Sequence, residues 1–464
     1  MLGHTRRVHC IGVGGAGVSA IAEVLVRTGF EVSGCDQTLS PVTERLAGMG
    51  VRVSAGHAPD HVGDADVIVV SSAVRSTNAE LAEARRRGVP VVARGEMLAE
   101  LMRPRFGIAV AGAHGKTTTT AMIALMLERA GLDPTALIGG YFAAFGGHAR
   151  VGQSEYLVAE ADESDRSFLR LAPAIVVITN LDREHLQSYA GFEELTAAFV
   201  EFANRVPFYG SAIVCADDPH LSAARGGMTA PVVTYGLDTA GADLTGRMLR
   251  LDATSSTLTV SGRPRGSAPA ELGELRVGIP GRHNALNALA AVAVGLELDV
   301  PFAIMAAALA DFRGTARRFE TRGEAGGIRV VDDYGHHPTE IATVLETARR
   351  VTNGRVIVAF QPHRYSRTQN LREEFAATLA RADEVLLADI YSAGEDPIPG
   401  VTIDWLAEAV EREAPGRVQV VRHLRDLPPA VARLARTGDL VITLGAGSIT
   451  ESAAPILDEI RRCG

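Results

Sequence analysis

The chain has 464 residues, 47% hydrophobic and 22% charged, with a formal net charge of −9. That length suggests about three domains of ordinary globular composition, and the acidic balance argues against a protein held on nucleic acid by phosphate contacts. No apolar run is long enough to span a bilayer, MLGHTRR does not read as a signal peptide, and the scattered Cys10, Cys35, Cys215 and Cys463 lack CxxC spacing, which suits reduced thiols in a cytoplasmic protein.

The first segment reads as a strand, Val8 to Val13, then a glycine-rich turn, Gly12 to Gly17, then a helix from Val18 to Arg27. A second strand, Phe30 to Ser33, ends near Asp36. This is G-x-G-x-x-G followed by an acid about 20 residues on, which makes a diphosphate site with a carboxylate placed for a ribose hydroxyl. NAD and a UDP-sugar both satisfy it. GHAPDHV, with His57, follows, and then the buried strand ADVIVVSSAV ending at Ser71 and Ser72. Open α/β sheets bind ligands at the C-terminal ends of their strands. His57 reads equally as a surface-loop histidine.

The second segment opens on FGIAVAGAHGKTTTT, Phe106 to Thr120. A short apolar strand, Ile108 to Ala111, breaks at Gly112 into a turn, and Lys116 and Thr117 open a long apolar helix. This is the strand–loop–helix context of a phosphate loop, in which backbone N–H groups and the helix N-terminus face the anion. The ammonium reaches the outer phosphates and the Thr117 hydroxyl can ligate Mg²⁺. The usual G-x-x-x-x-G-K-[ST] is not met, because its first glycine would fall at Val110; the loop is a shortened variant starting at Gly112. Of the 46 lysines and arginines, Lys116 alone is a lysine. It stands where a compact ammonium differs most from a planar guanidinium.

The strand EYLVA runs into Glu160-Ala161-Asp162-Glu163-Ser164-Asp165. A carboxylate at such a strand end, here Glu160, is the usual place for a Mg²⁺ ligand. Asp162, Glu163 and Asp165, taken singly, also read as a solvated acidic turn. A strand from Ala174 to Thr179 leads to NLDREHL and His185, and residues 207–279 read as a peripheral β-rich excursion. GIPGRHNALNALAAVAV reads as a helix with His283, Asn284 and Asn287 in its first turn, the two amides at i and i+3 on one face. Such amides pair with adenine or cap a helix. Beyond FRGTARRFE, strands alternate with helices and imply a second doubly wound sheet. Arg364 and Arg367 lie just past the strand VIVAF, in a loop where planar forks suit a carboxylate or phosphate.

Together GVGGAGVS, GHAPDHV, VVSSAV, GAHGKTTTT, LVAEADESD, GRHNALNA, GTARRFE, DDYGHHPTE, FQPHRYSRT and DIYSAGEDPIPG closely resemble the Mur ligases of peptidoglycan synthesis over essentially the full chain. DDYGHHPTE with FQPHRYSRT points to the alanine-adding branch. The family loop reads G-T-H-G-K-T; here Ala113 replaces the threonine, which removes a hydroxyl but no backbone donor. The closing GAGSIT also departs slightly from the family ending.

The resemblance implies an α/β protein of three domains: a Rossmann-like N-terminal domain at 1–106 for the UDP moiety, a central P-loop ATPase-type domain at 107–314, and a Rossmann-like C-terminal domain at 315–464 that brings the amino acid. The implied substrates are ATP, UDP-N-acetylmuramate and L-alanine, with Mg²⁺, in a cytoplasmic monomer or homodimer. It assigns Gly14, Gly15, Gly17, Ser19, Asp36, His57, Ser71 and Ser72 to the UDP-sugar. Gly112, Ala113, His114, Gly115, Lys116, Thr117, Thr118, Asn284, Asn287, Arg318 and Asp333 go to ATP, and His337, Arg364 and Arg367 to alanine. Lys116, Glu160 and His185 would be catalytic, with Thr117, Glu160 and His185 on metal. Three competing readings are a sibling ligase adding another amino acid or peptide, a nicotinamide-dependent oxidoreductase with a regulatory nucleotide domain, and a non-catalytic nucleotide switch.

Overall fold

The computed structural model describes residues 3–71, 73–184, 188–263 and 270–463. The chain forms two compact units: Met1–Leu249 with Thr257–Gly278 and Asn284–Thr315, and Arg250–Ser256 with Ile279–His283 and Ala316–Gly464. Among the described residues no helix is long and apolar enough to cross a membrane.

The first unit opens with β1 (Arg7–Ile11), β2 (Glu31–Asp36), β3 (Arg52–Ala55), β4 (Val67–Val70) and β5 (Val91–Ala93), in the order β3-β2-β1-β4-β5. All their pairings are parallel, with Ile11 opposite both Cys35 and Val70. The chain turns back between β1 and β4, so the crevice outside their C-terminal ends is the ligand position of an open parallel sheet.

The same unit continues with β6 (Phe106–Ala111), β7 (Thr135–Phe142), β8 (Gly147–Arg150), β9 (Tyr156–Glu160), β10 (Ile175–Ile178), β11 (Ser211–Cys215), β12 (Val232–Gly236), β13 (Leu244–Leu251), β14 (Ser256–Gly262) and β15 (Ala270–Val277). They form a ten-stranded sheet ordered β15-β14-β13-β12-β11-β10-β6-β9-β7-β8. The apolar β6 pairs in parallel with β9 and β10, Val110 opposite Glu160 and Ile108 opposite Ile175. Strands this uniformly apolar are covered on both faces. The helix Lys116–Arg129 behind them is buried from Thr117 to Leu127, as an apolar helix must be. Residues 207–279 are not a peripheral excursion: β11 and β12 extend this sheet in parallel from β10.

The first two sheets share one unit because the helix Ala16–Arg27 packs on β7 and β8 as well as on its own sheet. Arg45 pairs with Glu23 at 2.7 Å beside Gly147, and Arg94 with Asp162 at 2.5 Å. The second unit carries β16 (Glu320–Ala325), β17 (Ile328–Asp333), β18 (Val356–Phe360), β19 (Glu384–Leu387), β20 (Val418–Val420) and β21 (Leu440–Leu444), ordered β16-β17-β21-β18-β19-β20. Within this six-stranded sheet only the β16–β17 pairing is antiparallel.

Candidate active site

The turn after β6 is shaped by two glycines with positive φ. Gly112 has φ +128°, and a Cβ there would lie 2.1 Å from Thr179 Oγ1; Gly115 has φ +84°, and a Cβ would lie 2.6 Å from Asn287 Oδ1. The residues after β10 grip the turn. Ala113 N–H donates to Asn180 O, His114 N–H to Asn180 Oδ1 at 2.8 Å, and Asn180 Nδ2 and Thr179 Oγ1 both donate to His114 O. The helix begins at Lys116 without a side-chain cap and without an acid in its first turn, so its first N–H groups keep no intrahelical partner.

Lys116 folds back into this turn. Its ammonium donates to Gly112 O at 2.5 Å, Ala113 O at 3.1 Å and Glu163 Oε1 at 2.8 Å. Burial opposes the charge, but Glu163, Asp162 and Glu184 together outweigh it and raise the lysine. Burial in turn pushes the Glu163 carboxyl up to about 7, against the pull of Lys116. Glu163 is thus no solvated acid: it is 2% exposed. Sequence reasoning left it out of the site. The usable signal was the lone lysine itself, since an ammonium enclosed in a turn needs a counter-ion. Asp162 pairs with Arg94, and Asp165 accepts from Ser167 N–H at 2.9 Å.

Glu160, at the end of β9, accepts from Gly139 N–H at 2.5 Å. Thr117 lies against the next glycine, where a Cβ on Gly140 would be 3.1 Å from its Cγ2. Both oxygen-bearing side chains therefore flank one stretch of β7. Thr118 is buried in the same helical turn, and His114 Nε2 is 2.8 Å from Asp182 Oδ2. Asn284 and Asn287 are buried on one face of the helix Arg282–Glu297, 3.4 Å apart; Asn287 falls in the second turn because the helix starts at Arg282, not later. His185 and Ser72 lie outside the described residues.

In the N-terminal sheet Gly14 N–H donates to Asp36 Oδ2 at 2.8 Å, which sets the acid of β2 against the glycine turn. A Cβ added at Gly12 would meet Ser71 Cβ at 3.2 Å, and one at Gly17 would meet Arg94 Cδ at 2.8 Å. Gly14, Gly15, Gly17, Asp36 and Ser71 are thus gathered where the strand order reverses, with Arg94 beside them unforeseen. Ser19 is buried and its hydroxyl donates to its own helix at Ala16 O. His57 turns toward Cys35 and Glu80, its Nδ1 3.3 Å from Cys35 Sγ.

In the second unit the loops after β17 and β18 meet through His336 and His363, whose rings are 5.7 Å apart. Arg364 precedes the short helix Tyr365–Asn370, with φ +76° and its Nη1 3.9 Å from Glu395 Oε1. Arg367 lies on that helix, not in a loop, and donates to His363 O at 3.3 Å. Burial, helped by the neighbouring His336, Arg367 and Arg364, pushes His363 down to about 3. His337 is buried at the start of the helix Pro338–Val351. Arg318 lies over the Tyr334 ring at 5.1 Å, and burial pushes Asp333 up to about 6 although it accepts from Phe319 and Gly335 N–H groups.

Three family descriptions match consecutive stretches of the chain: "Mur ligase family, catalytic domain" at residues 7–106, "Mur ligase middle domain" at 110–295, and "Mur ligase, glutamate ligase domain" at 317–447. A UDP-N-acetylmuramate–L-alanine ligase of Solibacter usitatus is 49% identical over 460 residues, 99% of this chain and 96% of the relative. One of Solidesulfovibrio magneticus is 48% identical, covering 99% and 100%. The crystal structure of the UDP-N-acetylmuramate-alanine ligase from Thermotoga maritima superposes with a TM-score of 0.84 at 28% identity, covering 99% and 100%. That of a murein peptide ligase from Psychrobacter arcticus superposes at 0.74 and 25% identity, covering 98% and 99%.

Proposed function

The chain belongs to the Mur ligase family, and on that premise we propose that it uses ATP to join L-alanine to the carboxylate of UDP-N-acetylmuramate in peptidoglycan precursor synthesis. The observation that carries this reading is 49% identity to an alanine ligase over 99% of the chain. A carboxylate is a poor electrophile, so the γ-phosphoryl group is first transferred to its oxygen, giving an acyl phosphate and ADP. The alanine amine then attacks the acyl carbon, and phosphate leaves from the tetrahedral intermediate. Charge builds on the phosphoryl oxygens, and catalysis is positioning plus cationic stabilisation.

The side chains fit these tasks. Lys116, tied to two loop carbonyls, presents its ammonium where the terminal phosphates arrive. Glu163 Oε1 is its partner at 2.8 Å, and burial holds this carboxyl above the usual carboxylate range, so an arriving phosphate can compete for the ammonium. Thr117 and Glu160 offer hard oxygen donors along one stretch of β7, a set that fits Mg²⁺, which would neutralise phosphate charge there. Asn284 and Asn287 suit the adenine edge. Gly14, Asp36 and Ser71 suit the UDP-sugar, and His337, Arg364 and Arg367 the alanine carboxylate. We take 1–106, 107–314 and 315–464 as the corresponding domains.

Phosphate release tests the assignment. It should require ATP, Mg²⁺, UDP-N-acetylmuramate and L-alanine together. Release without the amino acid, or hydride transfer with NAD, overturns it.

A further inference from the structure

Four side chains from separate parts of the N-terminal sheet converge on one buried carboxylate. Glu80, at the start of the helix Ala79–Arg87, is 0% exposed. Its Oε2 is 3.1 Å from His9 Nε2 on β1 and 2.9 Å from Cys35 Sγ on β2. Its Oε1 is 3.1 Å from Ala58 N, 3.1 Å from His61 Nδ1 and 3.4 Å from His57 Nδ1. A carboxylate has about four lone-pair sites, fewer than the groups aimed at this one. Among the described residues its charge-bearing partners are histidines alone, with no arginine or lysine. A carboxylate so placed needs compensating positive charge.

The donor set is one that metal ions use. His9, Cys35 and Glu80 are all buried, and each offers a ligand atom within 4.8 Å of the others. His57 Nδ1 lies beside these three, 3.3 Å from Cys35 Sγ and 3.4 Å from Glu80 Oε1. The other nitrogen of His9 is 2.9 Å from Ser33 Oγ, an outer contact that fixes the ring with Nε2 toward the cluster. His57 and His61 are each 21% exposed and give an ion a way in.

We propose that His9 Nε2, Cys35 Sγ, a Glu80 oxygen and His57 Nδ1 bind a thiophilic divalent cation of the Zn²⁺ class. Imidazole, thiolate and carboxylate in a closed tetrahedral set suit such an ion and not Mg²⁺. Binding forms the Cys35 S–metal bond and releases the thiol proton to solvent, with no change of oxidation state. Thiolate and carboxylate then balance the two positive charges, so the buried site becomes neutral. The ion ties β1, β2, the turn after β3 and the helix Ala79–Arg87 together behind the glycine turn. This site is separate from the Mg²⁺ ligands and from phosphoryl transfer, and its test does not depend on activity.

Chelator-treated full-length protein titrated with Co²⁺ should take up about one equivalent in the presence of excess Mg²⁺, with release of a proton. Near-ultraviolet thiolate-to-cobalt absorption and tetrahedral visible bands should appear, and Zn²⁺ should abolish both. Cys35→Ser should lose the near-ultraviolet band, while Cys10→Ser and Cys215→Ser keep it. Zinc-edge X-ray absorption of the Zn²⁺-loaded wild type needs no variant and should show a sulfur neighbour with nitrogen and oxygen. A band that survives Cys35→Ser, a sulfur-free shell, or no Co²⁺ bound beyond what Mg²⁺ displaces overturns the site.

Discussion

The turn after β1 and the turn after β6 each carry a parallel strand into a helix whose N-cap is a glycine without a side-chain bond, and neither helix has an acid in its first turn. Both turns sit where the order of parallel strands reverses. Their charges differ. In the first, the Asp36 carboxylate already accepts from Gly14 N–H, and Arg94 is brought alongside from another helix. In the second, an ammonium is enclosed by the loop carbonyls and countered by Glu163. A turn with a carboxylate among its donors suits a ligand that offers hydroxyls as well as phosphate. A turn that encloses an ammonium suits terminal phosphates whose charge changes during reaction. On the proposed function, the same backbone design separates the UDP moiety, which is only held, from the nucleotide whose γ-phosphoryl group is transferred. Arg94 touches both sides, lying over Gly17 and pairing with Asp162 next to Glu163.

The comparison can be broken most sharply at Lys116. Lys116→Arg should lower kcat by about 100- to 1,000-fold, as loss of one transition-state donor does, because the guanidinium fork cannot take the ammonium's place between Gly112 O and Ala113 O. Steady-state phosphate release measures this, and wild-type turnover would remove the lysine from the mechanism. A milder loss is expected in the second unit. Arg364→Ala and Arg367→Ala should each raise the KM for alanine by about 10- to 100-fold, the equivalent of one charge-assisted bond, with the KM for ATP less affected. Unchanged alanine dependence in both would place the carboxylate elsewhere.

The first turn sharpens the contrast through Asp36. Asp36→Ala should weaken UDP-N-acetylmuramate by about tenfold in calorimetry, since on the proposed function it removes one ribose contact and it also removes the support of Gly14 N–H. The last effect concerns stability. His363 titrates near 3 in the fold against an ordinary 6.5, so between those values the unfolded chain binds more protons and stability falls as pH drops. His363→Gln should therefore flatten the acid limb of the melting profile below pH 6.5, by up to about 1.4 kcal/mol per pH unit. An unchanged acid limb would show that His363 is not held neutral.

Much of this was legible because glycine spacing and strand-to-helix switches are local. Gly12–Gly17 with Asp36, and Gly112–Lys116 with Glu160, fall at strand ends as the sequence implies. What escaped depends on contacts distant in sequence. Glu163 looks like one acid in a polar turn until Lys116, far upstream, closes over it. Arg94 becomes part of the first turn only because its helix packs back onto Gly17. His57 meets Cys35 and Glu80 through the fold and not through any spacing. The segment 207–279 reads as short strands and turns, and nothing local tells that its strands β11–β15, up to 8 residues long, extend a sheet begun at β6.

The division of labour between the two turns is tested most directly by titrating UDP-N-acetylmuramate and MgATP into Asp36→Ala and Lys116→Met by calorimetry. The expected losses are crossed: Asp36→Ala weakens the UDP-sugar and leaves MgATP near wild type, while Lys116→Met weakens MgATP and leaves the UDP-sugar unchanged. Equal weakening of both ligands in either variant, or wild-type MgATP binding and turnover in Lys116→Met, would contradict it.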